Sequence, residues 1–543
     1  MNLAERKKES FVTGAAVLTA STVIIKILGA VFKIPLSNII GKSAMGDFGI
    51  AYNIYALLLT ISTAGLPVAL SRMVSEADVL GHRKQVRRTF RVAWGTFCVM
   101  GLLSTLFMLL FSRQLAEFMG SPEAAPAIAV LAPSLLCVCL MSAYRGYTQG
   151  LGNMVPTSVS QIIETLCKVV FGLSAAWLLI RAGRGGSAGA AGGIFGVTVG
   201  TVLGLLYILL VTKRLDRRSA APLGEPDVPD SAGRTLRKLI TIGIPIIIGS
   251  CVLNVVALVD TKMIYSRLQN ALGYSYETAK ALYGTYFNTQ TLYNLPSAFA
   301  VPMVTSAIPA IAAYVAQRKN RDAAQVLGAS LKLMNLLAMP MAAGMGVLAA
   351  PIMGGLYGDT DPAAGAILSI LSAAGWGVCI MMVTNAILQA YGHERLPILS
   401  IAVGCLCKVA VSYTLLGIPS VGILGAPLGN LACYAVICIL NLIFIRRTAA
   451  ECPPLLPLFL RPFLASALMG GCAWGIHALL RIAFARLGIF QSGRLEFLAP
   501  AAVAIAAGVI LYLVFVVVLR AITKEELELV PKGDKLGRLL RIR

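Results

Sequence analysis

About fourteen apolar stretches, each long enough to cross a bilayer, fill almost the whole chain, and the first six recur in large part as the second six. A spanning helix needs about 20 apolar residues. Windows of that kind are expected at 11–33, 47–70, 90–112, 124–147, 156–180, 188–211, 238–261, 284–313, 328–350, 364–390, 396–416, 422–445, 458–480 and 496–520. Hydrocarbon offers no partner to an unpaired backbone group, so a spanning segment must be a helix or a strand of a closed barrel. The alternation that a barrel strand requires is absent. The expected fold is therefore an all-α polytopic membrane protein of about 14 transmembrane helices, with two pseudo-symmetric six-helix bundles and two extra C-terminal helices.

The duplication can be followed residue by residue. Tyr52-Asn53 and Gly65-Leu66-Pro67-Val68 recur 235 positions later as Phe287-Asn288 and Ala300-Val301-Pro302-Met303. At an offset of 240, Gln149-Gly150-Leu151-Gly152 meets Gln389-Ala390-Tyr391-Gly392, and Leu166-Cys167-Lys168-Val169 meets Leu406-Cys407-Lys408-Val409. Gly193, Gly196 and Gly200 match Gly422, Gly425 and Gly429. Six spans is an even number, so both copies run the same way through the membrane, related by an axis along its normal. The expected domains are 1–215 and 237–450 for the two bundles, a cytoplasmic linker at 216–236, the extra pair at 451–522 and a basic tail at 523–543. The linker carries the Pro-, Gly- and Ser-rich stretch from Asp216 to Gly233. The tail is expected to form a short amphipathic surface helix.

Only 13% of the residues are charged, against about 25% in soluble domains, and 57% are hydrophobic. The net charge of +22 would suggest nucleic acid on a soluble protein. Here the cations sit mostly in alternate loops: Arg83, Lys84, Arg87 and Arg88 after span 2, and Lys213, Arg214, Arg217, Arg218, Arg234 and Arg237 after span 6. That pattern sets topology and places both termini in the cytoplasm of a plasma membrane. The loop after span 9 carries Asp359 and Asp361 and falls outside. Met1 to Ser10 is polar and basic and is followed by a full-length apolar stretch, unlike a cleavable signal peptide. Twelve cysteines without a Cys-x-x-Cys, and three scattered histidines, suggest neither disulfide nor metal nor cofactor.

Ionisable groups inside spans are costly and usually face a cavity or a partner. Lys26 sits about four turns into span 1, with no acid near it in sequence, and Lys33 follows two turns on. Asp47 opens span 2, Arg72 closes it, and Arg145 ends span 4. Glu164 and Lys168 have the i,i+4 spacing of a structural ion pair. Asp260 and Lys262 end span 7 as a pair or a coupling site. Lys408, in span 11, either snorkels or pairs across helices. The excess of buried cations favours an anionic ligand, most simply a phosphate or diphosphate; an exporter of organic cations would want carboxylates.

With Lys26-Ile27-Leu28-Gly29, Tyr52-Asn53-Ile54-Tyr55, Gly65-Leu66-Pro67-Val68-Ala69-Leu70-Ser71-Arg72 and Arg145-Gly146-Tyr147-Thr148-Gln149-Gly150 in view, the chain resembles the multidrug/oligosaccharidyl-lipid/polysaccharide exporter superfamily over nearly its whole length. Within it the chain is similar to the MurJ/SpoVB-like branch, and the Tyr-Asn-x-Tyr stretch leans toward the YtgP-type lipid II flippases of Firmicutes. The resemblance implies movement of an undecaprenyl-pyrophosphate-linked glycan from the inner to the outer leaflet. It implies a cationic cavity for the headgroup and a groove on the extra helices for the lipid tail. Lys26 then matches a cavity arginine by its place before Leu-Gly, and Asp47 a cavity-region aspartate. Departures lie at Phe32, where a second family arginine falls, and near Thr60. Span 8 shows no basic residue, and Asn288, Gln290 and Asn294 are its main polar groups. The substrate-binding residues expected are thus Lys26, Lys33, Asp47, Arg72, Arg145, Asn288 and Asn294. Asp260, Lys262, Glu164, Lys168 and Lys408 are expected as coupling or structural pairs. Membrane lipids, and a coupling ion or the membrane potential, are the further partners.

Three other readings stand beside this one. An ion-coupled drug exporter of the same fold is disfavoured by the cationic spans and the extra helix pair. A non-transporting scaffold of the cell-wall machinery would tolerate changes among these cations. An enzyme acting on lipid carriers would need an acid cluster or a nucleophile motif, and none stands in a suitable context.

Overall fold

The structure is a computed structural model that describes residues 3–218, 228–449, 451–487 and 493–521, with side chains from 20 onward except at 215–218, 245, 302, 305 and 306. Every regular element among these residues is helical. The elements are α1 (Leu3–Thr63), α2 (Leu66–Val79), α3 (Arg83–Leu110), α4 (Ser112–Met119), α5 (Ala125–Gly150), α6 (Val155–Arg181), α7 (Gly186–Arg218), α8 (Ala232–Asn270) and α9 (Tyr276–Tyr293). They continue as α10 (Ser297–Ala316), α11 (Asn320–Val347), α12 (Ala349–Tyr357), α13 (Pro362–Ala390), α14 (Arg395–Leu415), α15 (Gly425–Thr448), α16 (Leu455–Leu487) and α17 (Leu495–Val518).

Among the described residues, twelve segments are long and apolar enough to cross a membrane, where fourteen spans were expected. Two local features account for the difference. The first two expected spans lie in one segment, Ala20–Val79, because helical hydrogen bonding runs on through Gly41. The direction changes there: Gly41 takes φ 83°, ψ 163°, a conformation that an L side chain cannot adopt cheaply. The expected span 284–313 is instead two helices, α9 and α10, broken at 294–296. Pro296 has no N–H to carry the helix on, and the hydroxyl of Ser297 donates to the carbonyl of Asn294 at 2.7 Å.

Contacts divide the chain into two compact units, Met1–Phe287 and Asn288–Arg543. In the first unit α1 packs on α5, α6 and α7, while α2, α3 and α8 enclose a core built on Leu66, Leu70, Val74, Phe97 and Leu239. α8 and most of α9 thus pack with the first six expected spans. In the second unit α11 and α13 are the most enclosed helices, α15 pairs with α14, and the α16–α17 hairpin lies on α11.

The matched glycines of the two repeats do the same job. A Cβ on Gly196 would sit 2.3 Å from the Gly172 backbone, and one on Gly200 would sit 2.4 Å from the Glu164 carbonyl oxygen. In the second unit a Cβ on Gly425 would sit 2.6 Å from the Leu416 backbone nitrogen, and one on Gly429 would sit 1.9 Å from the Ser412 Oγ and 3.2 Å from the Lys408 carbonyl oxygen. α6–α7 and α14–α15 are therefore seated backbone on backbone, the small-residue packing that lipid-embedded helices use.

The expected linker is shorter than its sequence suggests, since α7 reaches Arg218 and α8 begins at Ala232. Just before α8, the Asp230 carboxylate takes Lys238 at 3.0 Å and Arg234 at 3.1 Å, and its backbone N–H donates to Gln85 Oε1 at 2.7 Å. The remaining linker, 219–227, and the expected tail helix, 523–543, lie outside the described residues.

Candidate functional site

The first unit gathers cations on aromatic rings. The Lys33 ammonium lies 4.5 Å from the ring centroid of Phe287 and 5.7 Å from that of Tyr52. The Lys168 ammonium, from α6, lies 4.8 Å from the Phe32 ring and also 5.7 Å from Tyr52. Phe48 ties these rings together: it stacks on Tyr52 at 5.9 Å and meets Phe32 at 6.0 Å and Phe287 at 6.2 Å. Phe32, Phe48 and Phe287 are buried. Lys26, two turns before Lys33 on the same helix, is near enough to act on it electrostatically. Cation–π contact accounts for the resting place of each ammonium. Among the described residues, neither Lys33 nor Lys168 has a carboxylate at ion-pair distance.

Sequence reasoning expected Glu164 to pair with Lys168 along α6. Glu164 instead binds Arg145 of α5 at 3.2 Å, and Arg145 Nε donates to Ser160 Oγ at 3.0 Å. The guanidinium reaches across from the neighbouring helix and satisfies the carboxylate, which leaves Lys168 to the aromatic rings. Arg145 and Glu164 are thus a structural pair, and Lys168 joins Lys33.

A second polar constellation lies beyond Gly41. Asp47 is fully buried and bonds Lys280 of α9 at 2.9 Å. Its two carboxylate oxygens accept the hydroxyls of Ser121 at 2.8 Å and of Ser187, the second residue of α7, at 2.9 Å. Lys280 also pairs with Glu123, Ser187 reaches Glu123 at 3.1 Å, and Ser121 shares a 2.6 Å hydrogen bond with Tyr276. Asp47 was expected to touch substrate. In this structure it bonds α7, α9 and the turn ahead of α5 and clasps these elements together. Lys280 escaped the sequence reading because the eighth span was begun at 284, whereas α9 begins at Tyr276.

The other expected positions disperse. Arg72 is exposed and pairs with Glu76 one turn on, at 2.9 Å. Asp260 is buried and accepts the Tyr286 hydroxyl at 2.9 Å, whereas Lys262 lies 5.1 Å from the Phe118 ring. Residues two apart leave a helix in different directions, so these two do not pair. Between them Thr261 joins Asn53 and Tyr283, all three contacts being 3.1 Å. In the second unit, Lys408 is buried in α14, Asn288 is buried with its carbonyl taking the Tyr357 hydroxyl at 3.3 Å, and Asn294 bonds back to the Gln290 carbonyl at 2.9 Å.

The second unit carries an apolar groove of about 710 Å³ between α11, α13 and α16, bordered by Met339, Val347, Trp376, Phe463 and Trp474. Its walls are pinned by polar bonds. Trp376 Nε1 donates to Asn335 Oδ1 at 2.9 Å, Asn335 donates to the Leu458 carbonyl at 3.1 Å, and the Tyr512 hydroxyl reaches the Leu336 carbonyl at 2.7 Å.

These features define a multi-pass, all-helical membrane protein. Residues 11–315 match the family described as polysaccharide biosynthesis protein, and the chain belongs to that family, in its MurJ/SpoVB-like branch. It is 29% identical over 533 residues to the uncharacterized membrane protein YabM of Bacillus subtilis, covering 98% of this chain and 96% of that one. It is 26% identical to the lipid II flippase MurJ of the same organism, covering 80% and 82%, and 24% identical to its stage V sporulation protein B, covering 98% and 99%. Among solved structures, a lipid II flippase MurJ in an inward closed conformation superposes with TM-score 0.65 at 16% identity, covering 93% of this chain and 98% of that one. An inward-facing multidrug transporter of the MATE family gives 0.63 at 15% identity, covering 80% and 100%. These two establish shared fold.

Proposed function

We propose that the chain is a flippase that carries a lipid-linked peptidoglycan precursor, lipid II, from the inner to the outer leaflet by alternating access. The observation that carries this reading is the pair Lys33 and Lys168. Each lies 5.7 Å from one ring centroid, so their charges are no more than about 11 Å apart. At an effective dielectric of about 20 such charges repel by about 1.5 kcal/mol or more. A diphosphate placed between them turns that repulsion into attraction, with Lys26 as a third cation at the approach. A cationic drug would meet the opposite field. The apolar groove of the second unit supplies what a headgroup site lacks, a bed for a polyprenyl tail.

With the basic loops and both termini in the cytoplasm of the plasma membrane, the headgroup is loaded from the inner leaflet. The membrane potential, worth about 2.3 kcal/mol per charge per 100 mV, is one source of drive and a coupling ion another. The relation to the sporulation protein over almost the full chain favours a second reading, an undecaprenyl-linked precursor of the spore cortex or of another polysaccharide. Reconstitution in vesicles, with lipid II and a teichoic or capsular lipid precursor followed across the leaflets side by side, decides between them. Movement of neither would sink both.

A further inference from the structure

A second apolar groove, of about 480 Å³, lies in the first unit between the latter half of α1, α4 and α8. Its walls include Leu57, Leu115, Phe118, Leu258 and Val259, and its polar lining is limited to Lys262 and Ser266. Phe118 is 66% exposed, so the groove opens outward along its length. Among the described residues, no carboxylate lies at ion-pair distance from Lys262, and its ammonium rests on the Phe118 ring.

The depth of this site follows from α4. That short helix turns Leu115, Phe118 and Met119 into the groove, while Arg113 and Glu117 pair on its other face with side chains 84% and 50% exposed. A helix so divided lies in the plane where hydrocarbon gives way to water. Lys262 shares the level of Phe118 and therefore sits where lipid phosphates sit. A lysine at that level extends its ammonium toward the headgroups along its apolar stem.

We infer that this groove is a binding site for an anionic phospholipid: an acyl chain lies along α8 and the phosphate diester meets the ammonium of Lys262. A phosphatidylglycerol-type lipid fits better than a zwitterionic one, because one unpaired cation neutralises one net negative charge. A choline headgroup already brings its own cation to the phosphate. The site is separate from the Lys33–Lys168 pair and does not depend on what the protein transports.

The test is native mass spectrometry of the full chain, delipidated in neutral detergent and supplied with phosphatidylglycerol or with phosphatidylcholine of the same acyl chains. Lys262→Gln is expected to lower occupancy by the most tightly held phosphatidylglycerol about five-fold, the effect of one cation at a headgroup. Phosphatidylcholine occupancy stays unchanged, Lys262→Arg keeps the lipid, and Arg181→Gln, a cation elsewhere on the surface, leaves it in place. Leu258→Trp, which fills the groove, lowers both lipids. The inference is overturned if Lys262→Gln leaves phosphatidylglycerol occupancy untouched, or if it lowers both lipids by the same factor.

Discussion

Lys33 and Lys168, from two different helices, hold their ammonium groups at the same 5.7 Å from the centroid of the Tyr52 ring. The partner ring of Lys33 is Phe287, and Tyr52-Asn53 and Phe287-Asn288 are the matched positions of the internal repeat. Both copies of one duplicated aromatic position have come to serve a single lysine.

Lys168→Ala is therefore expected to impair lipid movement as severely as Lys33→Ala, by ten- to a hundred-fold, the order expected for a lost hydrogen bond to a charged group. Lys26→Ala is expected to lower transport less, because Lys26 lies two helical turns from Lys33 along α1. Lys168→Arg should keep part of the activity, since charge remains and geometry changes. Complementation of a flippase-depleted strain, together with vesicle transport at matched expression, checks the order. Wild-type transport by Lys168→Ala would return that residue to a packing role.

Lys280→Met should destabilise the protein by about 3–5 kcal/mol, because it leaves Asp47 as an uncompensated buried charge, and Asp47→Leu should cost less, because Lys280 keeps its pairing with Glu123. The double variant should recover a large part of that loss. Thermal unfolding in detergent measures the cycle, and additive single effects would show that the two side chains act independently.

Asp230 gives a pH dependence in the loop region. Hydrogen bonding from Lys238, then from Arg234, holds its carboxyl below the usual carboxylate range. A carboxyl with a lowered folded-state pKa stabilises its link fully above the unfolded value of about 3.9. That contribution is lost as pH falls through the lowered folded value. Hydrogen exchange at the start of α8 should thus be flat from pH 7 to 5, once corrected for intrinsic rates, and protection should fall below about pH 4. Asp230→Asn should be unprotected throughout, and a wild type insensitive to acid would rule out the link.

Filling the groove of the second unit separates head from tail. Ala343→Phe is expected to leave binding of a water-soluble diphosphate headgroup analogue within two-fold while lowering movement of the full lipid about ten-fold or more, as a bulky ring displaces a chain that would bury about 0.8 kcal/mol per CH₂. Calorimetry on the analogue and vesicle transport on the lipid read the two effects. Equal loss of both would mean that the ring disturbs the fold instead.

Much of this molecule is legible in its sequence, for reasons that differ by feature. The helical fold follows from apolar run length and the absence of strand alternation, because the membrane admits only helices and closed barrels. Gly193, Gly196 and Gly200 are readable as marks of the repeat, whereas the close backbone approach at Gly196 and Gly200 shows only once the helices are packed. The cations were readable as a set, but their partners were not. Whether Glu164 bonds Lys168 or Arg145 depends on the approach of a neighbouring helix, which an i,i+4 spacing does not report. Lys280 was missed because a span was started at its first apolar window, and a buried ion pair lets a helix begin in polar residues. The pairing of Tyr52 with Phe287 did leave a trace, since the repeat aligns them, but alignment gives equivalence and not proximity.

The glycine seats of α6 on α7 and of α14 on α15 restrict how such a protein can change shape. Two helices whose backbones already touch cannot slide past each other by part of a turn without a collision along the whole seam. Each pair must travel as one rod through any working cycle. The bending is then left to segments whose backbone departs from helical geometry, the kink at Gly41 and the break between α9 and α10. A lone bulky side chain at either seam would act as a wedge, felt along the full length of both rods.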